Sequence, residues 1–446
     1  MVRIAPLRGL LYNQTKIRDL SKVIAAPYDV ITPEEQERLY RRSPHNIVRL
    51  ILNRDPNRYE NVARIYGQWQ AEGIFVRAER PAIYFLRHRF TIGRGEEKER
   101  LGFIALARIE DFSVGTIRPH EITLEEPRED RFRIMLACHA NLSPVFGLYS
   151  HPKQIISQTL IELVRGVPPL MEVSDHKDGV CLLWGISDPE VVHLVQRQME
   201  ERPLLIADGH HRYEAAMNYR DHLRSQRGQW NGREAFNYVM MYFANMTESG
   251  LVILPTHRLV REFPQIPFQK LDEALQRYFY LEPYPKTHEG QRWFLRALKS
   301  EGKKRHLIGA SFKGDPRYLI LRLKSKRTMQ RLAKEMSGPL RELDVSTLHH
   351  LILEHVLGLT LEEQLKEDAI RYLHDEREAL QAVHKGDYQA AFILNPPQVG
   401  EVLAVALRGE KMPQKSTYFY PKPLTGLVMN KIDPDEEIQD QASSWS

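Results

Sequence analysis

Short apolar runs of strand length recur along this chain and alternate with segments that begin at strong helix N-caps. Thr32 followed by Pro33, and Asp188 followed by Pro189, are start signals for such helices. The alternation predicts a mixed α/β or α+β chain with several buried strands. The predicted strands lie at 47–52, 82–90, 100–109, 144–149, 179–186, 203–207, 236–246, 251–254, 305–312, 317–323 and 388–394.

The length of 446 residues exceeds what one hydrophobic core holds, because single cores stop growing near about 250–300 residues. We therefore expect two domains. Hydrophobic residues make up 42% of the chain and charged residues 27%, as in ordinary globular proteins. The segment at 262–269 contains two prolines and is the predicted boundary, although a connection inside one domain would look the same. The predicted limits are 1–261, 262–430 and a polar, acidic, frayed tail at 431–446.

The two cysteines, Cys138 and Cys181, exclude a disulfide framework and agree with a reducing compartment. No apolar run approaches the roughly 20 residues that cross a bilayer, and the first residues lack a signal-peptide pattern. We expect a cytoplasmic protein with no membrane partner.

The formal net charge is small, +5 from 63 basic and 58 acidic side chains. This excess permits a phosphate ligand without requiring nucleic acid. The basic stretch from Lys303 to Lys334 is interleaved with leucines and is typical of a solvated face. Nucleic acid is therefore not an expected partner.

The segment Asp208, Gly209, His210, His211, Arg212 follows a buried strand and opens a predicted helix. Free backbone N–H groups at a helix start, together with the helix dipole, form an anion site. Glycine allows close approach to a ligand, and Arg212 offers a planar fork to phosphate oxygens. The histidines add donors or an acid–base group, and Asp208 is a candidate to hold Mg²⁺ or to orient a histidine.

A purely structural turn is the alternative interpretation, with histidines bonded to carbonyls and the arginine paired on the surface. Four titratable side chains in five residues directly after a buried strand favour function. A histidine-ligated zinc site is disfavoured because adjacent histidines diverge and no H-x-x-x-H or H-x-H spacing accompanies them.

Residues 203–216, PLLIADGHHRYEAA, resemble the phosphate-binding box of the ParB/sulfiredoxin superfamily. Gly209, Arg212 and Ala215 match its G-x-x-R-x-x-A spacing. The form Asp-Gly-His-His-Arg is closer to the archaeal free serine kinases, which transfer phosphate from a nucleotide to L-serine. The resemblance implies an N-terminal ParB/sulfiredoxin-like mixed-sheet domain that binds a nucleotide, followed by a second α+β domain.

The whole chain also resembles domain-of-unknown-function family 1015, sometimes labelled ParB-like. The matching segments are PYDV at 27–30, PHE at 119–121, Asp130 and Arg131, PTHR at 255–258, and MPQKSTYFYPK at 412–422. Sulfiredoxins carry a catalytic cysteine where this chain has His210, which disfavours sulfinic acid reduction. Chromosome-partitioning ParB proteins place a helix-turn-helix reader after the box, where strands are predicted here.

Three further residues are candidates for catalysis. Asp29 lies in a loop just before a capped helix, and the resemblance implies that this loop faces the phosphate box. Asp29 is therefore a candidate base. The alternative is that it only anchors the loop. His120 and Glu121 are candidates for general base and metal ligand in phosphoryl transfer, and a solvated loop pair is the alternative.

The segment that begins with Lys415, Ser416 and Thr417 and ends at Lys422 combines cations, hydroxyls and aromatic rings, and loops of this kind often close over ligands. An aromatic strand packed in the second domain is the alternative. His349, His350 and His355 lie on the predicted helix 344–357 and are interpreted as structural.

These features together predict a nucleotide-binding phosphotransferase for a small molecule. The donor is ATP or ADP, with CTP as another candidate, and Mg²⁺ is held by Asp208 or Glu121. Asp29, His120, Glu121 and His210 are the predicted catalytic residues, and the resemblance to free serine kinases implies L-serine as the acceptor. The alternative is a nucleotide-binding regulatory switch with little or no turnover. A homodimer is an open expectation, and a chain ending near Pro264 is expected to fold but to transfer poorly.

Overall fold

The computed structural model describes residues 2–93, 95–175, 179–263, 267–302, 306–364, 366 and 369–438. These residues form a mixed α+β protein, as predicted from the alternating pattern. They divide into two compact units. The first comprises 1–119, 123–252 and 421–446, and the second comprises 120–122 and 253–420.

Ten of the predicted apolar runs are present as strands, among the 21 strands that the described residues form. They are β1 Ile4–Ala5, β2 Leu10–Tyr12, β3 Phe75–Arg77, β4 Ile83–Ile92, β5 Glu96–Arg108, β6 Ile117–Arg118, β7 Ala140–Asn141, β8 Val145–Tyr149, β9 Met171–Ser174, β10 Val180–Ile186, β11 Leu204–Asp208, β12 Tyr238–Asn245, β13 Val252–Leu254, β14 His257–Val260, β15 Phe279–Pro285, β16 Leu307–Phe312, β17 Arg317–Leu323, β18 Ile370–Leu373, β19 Ala390–Ile393, β20 Tyr418–Tyr420 and β21 Asn430–Lys431.

The helices begin where the sequence offers caps. Thr32 Oγ1 accepts from Glu35 N, and Asp188 accepts from the N–H groups of Glu190 and Val191. The helices are α1 Pro33–Arg42, α2 Val48–Ile51, α3 Arg58–Ala71, α4 Glu125–Cys138, α5 Ile155–Leu163, α6 Pro189–Glu200, α7 His210–Arg227, α8 Phe268–Gln276, α9 His288–Gly302, α10 Arg327–Leu332, α11 Gly338–Arg341, α12 Asp344–Ser346, α13 Leu361–Gln364, α14 Glu376–Lys385 and α15 Val399–Ala406. A π-helical segment, Thr347–Val356, continues α12.

A mixed sheet forms the centre of the first unit. Its strand order is β6-β11-β8-β12-β5-β4-β10-β9, and β1 pairs with β5. β11 is parallel to β6 and antiparallel to β8, while β12 is parallel to β8. The hairpin predicted from 82–90 and 100–109 is present as β4 and β5, with Phe85 opposite Phe103. Buried apolar side chains of this sheet and of α6 and α7 form one core.

The second unit contains an antiparallel sheet of order β15-β17-β16-β19-β14-β18. Phe294 and Leu298 of α9 and Leu380 and Val383 of α14 pack with the apolar side chains of its strands. This unit matches the expected mixture of helices and strands after about residue 262. The predicted boundary at 262–269 includes residues 264–266, which lie outside the described residues.

The described C-terminal residues are part of the first unit. β21 pairs with β7, Ile432 is 1% exposed in the core, and Ile438 N donates to Arg233 O. The tail expected to fray from 431 is therefore ordered as far as 438, and residues 439–446 lie outside the described part. A chain ending near Pro264 would lose buried residues of the first unit such as Met429 and Ile432, so we expect its folding to be impaired.

The run Ile47–Leu52, predicted as a buried strand, is instead the short helix α2. Its residues are buried as expected, with Val48 and Leu50 fully enclosed. The Asn46 side chain accepts from Val48 N and starts a turn, and a short apolar run by itself does not distinguish strand from helix. Among the described residues, no helix has the length and apolar content to cross a bilayer.

Candidate functional site

The predicted strand–turn–helix is present in the first unit. β11 is buried up to Ala207, Gly209 adopts the left-handed conformation with φ +86°, and α7 begins at His210. The first N–H groups of a helix have no carbonyl within the helix to bond, and the helix dipole is positive there. This turn therefore has the backbone geometry of an anion site.

Gly209 is in close contact with the side chain of Arg212. A Cβ atom at position 209 would lie 2.8 Å from the Cζ, Nε and Nη2 atoms of that guanidinium. Both the positive φ and this contact require glycine. The arginine consequently packs beneath the turn, where its side chain is 9% exposed.

Gly209→Ala is expected to lower the free energy of unfolding by about 2–3 kcal/mol, because alanine adds a clash to the cost of a left-handed backbone. Gly228→Ala is the matched control. Gly228 ends the same helix with φ +70°, and a Cβ there meets nothing within 4 Å. It should lose only about 1 kcal/mol. Equal losses by chemical denaturation would show that the contact with Arg212 does not matter.

Arg212 holds the end of β11 in place. Its Nη2 donates to Asp208 Oδ2 at 2.6 Å, and its Nη1 donates to the carbonyl of Pro144. The Nε atom is buried and has no hydrogen-bond partner among the described residues. This arginine therefore fixes the orientation of Asp208, and its Nε–H is left without an acceptor among the described residues.

Lys422 contacts two carboxylates at this turn. Its Nζ lies 2.6 Å from Asp208 Oδ1 and forms a second ion pair with Asp29 Oδ2. The lysine side chain is 8% exposed, against 15% for Asp208 and 24% for Asp29. Burial lowers the pKa of Lys422, but the charges and hydrogen bonds of the two carboxylates outweigh it and hold this pKa well above the usual value. Lys422 is therefore a permanent cation.

The loop that carries Asp29 is fixed by an aromatic contact. The Arg131 guanidinium lies over the ring of Tyr28, 3.9 Å from its centroid, and donates to Ile51 O at 2.9 Å. Burial raises the pKa of Tyr28 to about 12, and the charges that act on it include Arg131, Asp29 and Arg212. The Tyr28 hydroxyl thus stays protonated beside the charged group.

The backbone next to Lys422 is held by a fully buried arginine. Arg100 donates from Nη1 to the carbonyl of Pro421 and from Nε to the Tyr242 hydroxyl at 3.2 Å. Its guanidinium also lies over the rings of Phe146 and Tyr242. Arg100 thereby positions the segment from which Lys422 reaches the two carboxylates.

The two histidines after Gly209 differ in exposure. His210 is 5% exposed, whereas His211 is half-buried. The backbone N–H of Leu124 donates to His211 Nε2 at 3.0 Å, so this nitrogen is an acceptor and the imidazole is neutral here. His211 in this state offers a proton only from Nδ1.

The other predicted site residues come together within the second unit. His120 is fully buried with Nε2 2.8 Å from Thr417 Oγ1, and Glu121 Oε1 accepts from Lys415 N at 2.6 Å. Ser416 Oγ donates to Pro413 O, which closes the turn. The predicted candidates thus fall into two groups, one in each unit.

Arg258 supports this second group. It donates from Nη2 to Lys415 O at 3.2 Å and is 1% exposed. Burial lowers its pKa to about 10, while Tyr372 and Glu121 act in the opposite direction. Arg258 therefore remains charged at neutral pH and holds the 415–417 turn through its backbone.

The described residues include no group of three or more His, Cys, Asp or Glu side chains arranged to hold a metal ion. Mg²⁺ in nucleotide sites is commonly held by one or two carboxylates together with phosphate oxygens and water. Asp208, the predicted ligand in the first unit, fits that smaller requirement. Glu121, the other predicted ligand, belongs to the group in the second unit.

Of the four residues Tyr28, Arg100, Arg131 and Lys422, sequence reasoning named only Lys422 for the site, as part of the 415–422 loop expected to close over a ligand. Three of them lie in segments that carried the resemblance to family 1015, at 27–30, 130–131 and 412–422, which was the available signal. Arg100 carried no such signal in the sequence, because an arginine within a predicted strand is typical of a face exposed to solvent.

A family model described as "Protein of unknown function (DUF1015)" matches residues 4–346. No curated protein matches the sequence.

Among solved structures, a conserved hypothetical protein from Pyrococcus furiosus is 14% identical, with a TM-score of 0.32 over 70% of this chain and 90% of the other. A free serine kinase variant in complex with AMP is 12% identical, with a TM-score of 0.33 over 73% and 89%. SbnI with a C-terminal truncation, from Staphylococcus aureus, is 11% identical, with a TM-score of 0.36 over 75% and 90%. At these TM-scores the overlaps carry no argument about activity. The family match covers more than half of the sequence, and the chain belongs to the DUF1015 family of proteins of unknown function.

Proposed function

We propose that this protein binds a nucleotide at the Asp208–Arg212 turn and transfers its terminal phosphate to a small hydroxyl compound. The observation that carries the proposal is the buried cation of Lys422 between two carboxylates, beside a glycine turn that starts a helix. Phosphate binding and hydroxyl activation require these groups together: backbone N–H donors, a cation and a carboxylate.

The phosphates of the donor are proposed to bind the N–H groups of Gly209, His210 and His211. The Lys422 ammonium group is proposed to pair with these phosphates. Arg212 supports the turn through its bonds to Asp208 and Pro144, and its Nε–H is a further donor. The resemblance of residues 203–216 to the ParB/sulfiredoxin phosphate-binding box supports the same location. Arg100 is proposed to position Lys422 through the Pro421 carbonyl.

Asp29 is the proposed general base. When Lys422 shifts its contacts to the phosphates, the Asp29 carboxylate accepts the proton of the acceptor hydroxyl. The acceptor oxygen then bonds to the terminal phosphorus as the bond from that phosphorus to the bridging oxygen breaks, and the nucleotide leaves with one phosphate fewer. Asp208 would hold Mg²⁺, which would neutralise phosphate charge.

The proposal also includes the residues around Glu121 and the 415–417 turn in the second unit. His120 and Glu121 remain candidates for acid–base chemistry, with Glu121 also a candidate metal ligand. Lys415, Ser416 and Thr417 remain candidates for nucleotide contacts. L-serine is the first acceptor to test, because the Asp-Gly-His-His-Arg segment resembles free serine kinases.

A nucleotide-dependent switch is the second candidate. The observation that favours it is that Lys422 links the 27–30 loop to the end of β11 through two ion pairs. Phosphates that draw Lys422 away would release both contacts, which is a local charge change with a structural consequence. This function needs binding without turnover.

Titration calorimetry with ATP, ADP and CTP, followed by phosphate-transfer assays on L-serine and other hydroxyl compounds, tests the proposal. Binding together with transfer supports the phosphotransferase. Binding without transfer to any acceptor supports the switch, and absence of binding contradicts both.

Arg212→Ala is expected to weaken nucleotide binding by about 1.5–3 kcal/mol, the usual loss for a charge-assisted contact. Arg197→Gln, an exposed arginine on α6, is the charge-matched control and should bind normally. Calorimetry is run well below the melting temperature, since the variant also loses a buried ion pair. An unchanged affinity in the folded variant would place the nucleotide elsewhere.

A further inference from the structure

The first unit has a second charged cavity, formed away from the Gly209 turn. It has a volume of about 400 Å³ and is lined by Arg3, Arg108, Arg220 and Arg224, together with Glu110 and Asp111. Cavities of this size hold small-molecule ligands. Arg220 and Arg224 lie eight and twelve residues beyond Arg212 on α7, which places them about 12–18 Å further along that helix.

Arg220 is a fixed, buried part of this cavity. It is 4% exposed, and its Nη2 and Nε pair with Asp111 Oδ1 at 2.9 Å and Asp221 Oδ1 at 2.7 Å. It also donates to Ile109 O. These contacts hold the guanidinium in one position before any ligand arrives, so little side-chain entropy is lost on binding.

Two other arginines that line the cavity form no ion pair with a carboxylate among the described residues. Arg224 donates to the neutral Asn237 Oδ1 at 2.9 Å and lies over the Trp230 ring, 3.9 Å from its centroid. Within the described part of the chain, neither Arg108 nor Arg224 forms an ion pair. Partial burial lowers the pKa of Arg224, and the positive charges of Arg220 and Arg108 add to this effect, while Asp221 and Asp111 act in the opposite direction. Like charges held together in this way favour an anion between them.

Glu110 adds a different requirement. Its Oε2 atom is buried and accepts no hydrogen bond from the described residues. A buried carboxylate oxygen without a donor is costly, and a hydroxyl group on a bound molecule would satisfy it. The cavity therefore combines cationic groups for anions with an acceptor for a hydroxyl.

We propose that this cavity binds a small polyanion that carries two or more phosphate or carboxylate groups and a hydroxyl group. The site is separate from the nucleotide site and lies further along α7. The loop that lines it also contacts the helix start, because Glu110 N donates to the Tyr213 hydroxyl at 3.0 Å and Phe112 stacks on the Tyr213 ring. A ligand here would act as an effector on the residue next to Arg212.

A small molecule fits the cavity better than a nucleic-acid strand. Strand binding relies on several exposed cations that follow a row of phosphates. Here Arg220 is buried, and the Asp111 side chain is 59% exposed beside it. An exposed carboxylate at this position repels a phosphate backbone, whereas a compact ligand reaches the arginines inside.

The test uses the full chain and titration calorimetry at low ionic strength with citrate, tricarballylate and 3-phosphoglycerate. Citrate and tricarballylate share three carboxylates, and only citrate has the hydroxyl. We expect citrate or 3-phosphoglycerate to bind. Tighter binding of citrate would indicate a site for carboxylates, and tighter binding of 3-phosphoglycerate a site for a phosphate group. Citrate should bind more tightly than tricarballylate, and affinity should fall as salt rises.

The Arg108→Gln and Arg224→Gln double variant should weaken binding at least about tenfold, the loss of one or more charge-assisted contacts. If the double variant does not fold, Arg108→Gln alone replaces it in the binding test, because the Arg108 guanidinium makes no ion pair among the described residues. Arg197→Gln should change nothing. Arg212→Ala should also leave citrate affinity intact, which separates this site from the nucleotide site.

Absence of binding by both citrate and 3-phosphoglycerate would overturn the proposal. So would binding that the arginine variants leave unchanged, or tricarballylate binding as tightly as citrate. A 20-nucleotide single-stranded DNA that binds the wild type, loses affinity in the double variant and displaces the small anions would assign the cavity to nucleic acid instead.

Discussion

Replacing Lys422 by methionine is expected to lower the free energy of unfolding by about 3 kcal/mol and to abolish nucleotide binding. Methionine keeps the apolar stem of the side chain but leaves Asp29 and Asp208 next to each other without their shared cation. Removing one partner of a buried ion pair is costly because the remaining charges stay desolvated. Chemical denaturation and titration calorimetry measure the two effects.

The pH dependence of this variant follows from the same charges. In the wild type, the raised pKa of Lys422 means that its stabilisation is complete below about pH 10, the ordinary lysine range, and is lost only as pH rises through the folded-state pKa. Without Lys422, repulsion between the carboxylates should raise the pKa of one of them. The folded variant then binds a proton more readily than its unfolded chain. The difference in free energy of unfolding between the wild type and the variant should therefore shrink from pH 7 to about pH 5.

Two further variants make this test specific. Lys153→Met removes an exposed lysine of the first unit and should change neither stability nor its pH dependence. Lys422→Met combined with Asp29→Asn should be more stable than Lys422→Met alone, because the repulsion between the two carboxylates is removed. A single variant as stable as the wild type at pH 7 would show that the ion pairs with Asp29 and Asp208 contribute nothing.

Asp29→Asn is expected to reduce the turnover number of phosphate transfer by about 100-fold or more while nucleotide affinity stays nearly the same. A general base acts in the transition state and typically contributes 10²–10⁴-fold, whereas asparagine keeps the shape and the oxygen. Single-turnover transfer assays and calorimetry on the same preparation separate the two quantities.

Glu121→Gln is the parallel test for the group in the second unit, and Glu60→Gln, an exposed carboxylate at the start of α3, is the charge control. A large loss in Asp29→Asn alone would assign the base to the first unit. A loss confined to Glu121→Gln would assign it to the second. Full transfer activity in both variants would refute both assignments and leave Asp208 as the next candidate.

Much of the secondary structure could be predicted because its causes are local. Thr32 and Asp188 cap their helices through their own side chains, and the 83–108 hairpin follows from two apolar runs around a polar turn. The π-helical geometry of 347–356 was not predicted, since a helical pattern of apolar residues does not specify which carbonyl each N–H will reach.

The turn at 208–212 was predicted for the same local reason. A strand, a glycine and a helix start are adjacent in sequence, and their geometry follows from backbone chemistry. The role of Arg212 was not predictable, since its hydrogen bonds go back to Asp208 and across to Pro144. Its guanidinium lies beneath the turn because the surrounding strands supply those acceptors.

The sequence by itself therefore determined the α+β character, ten of the strands, the capped helices α1 and α6 and the glycine turn, all of which depend on neighbouring residues. Only the tertiary structure decided that Lys422 meets Asp29 and Asp208. These residues are separated by hundreds of positions, and ion-pair energies depend on distance and burial, which composition and spacing do not contain. The arginine cavity was hidden for the same reason, since Arg3, Arg108 and Arg220 become neighbours only when the sheet and α7 pack together.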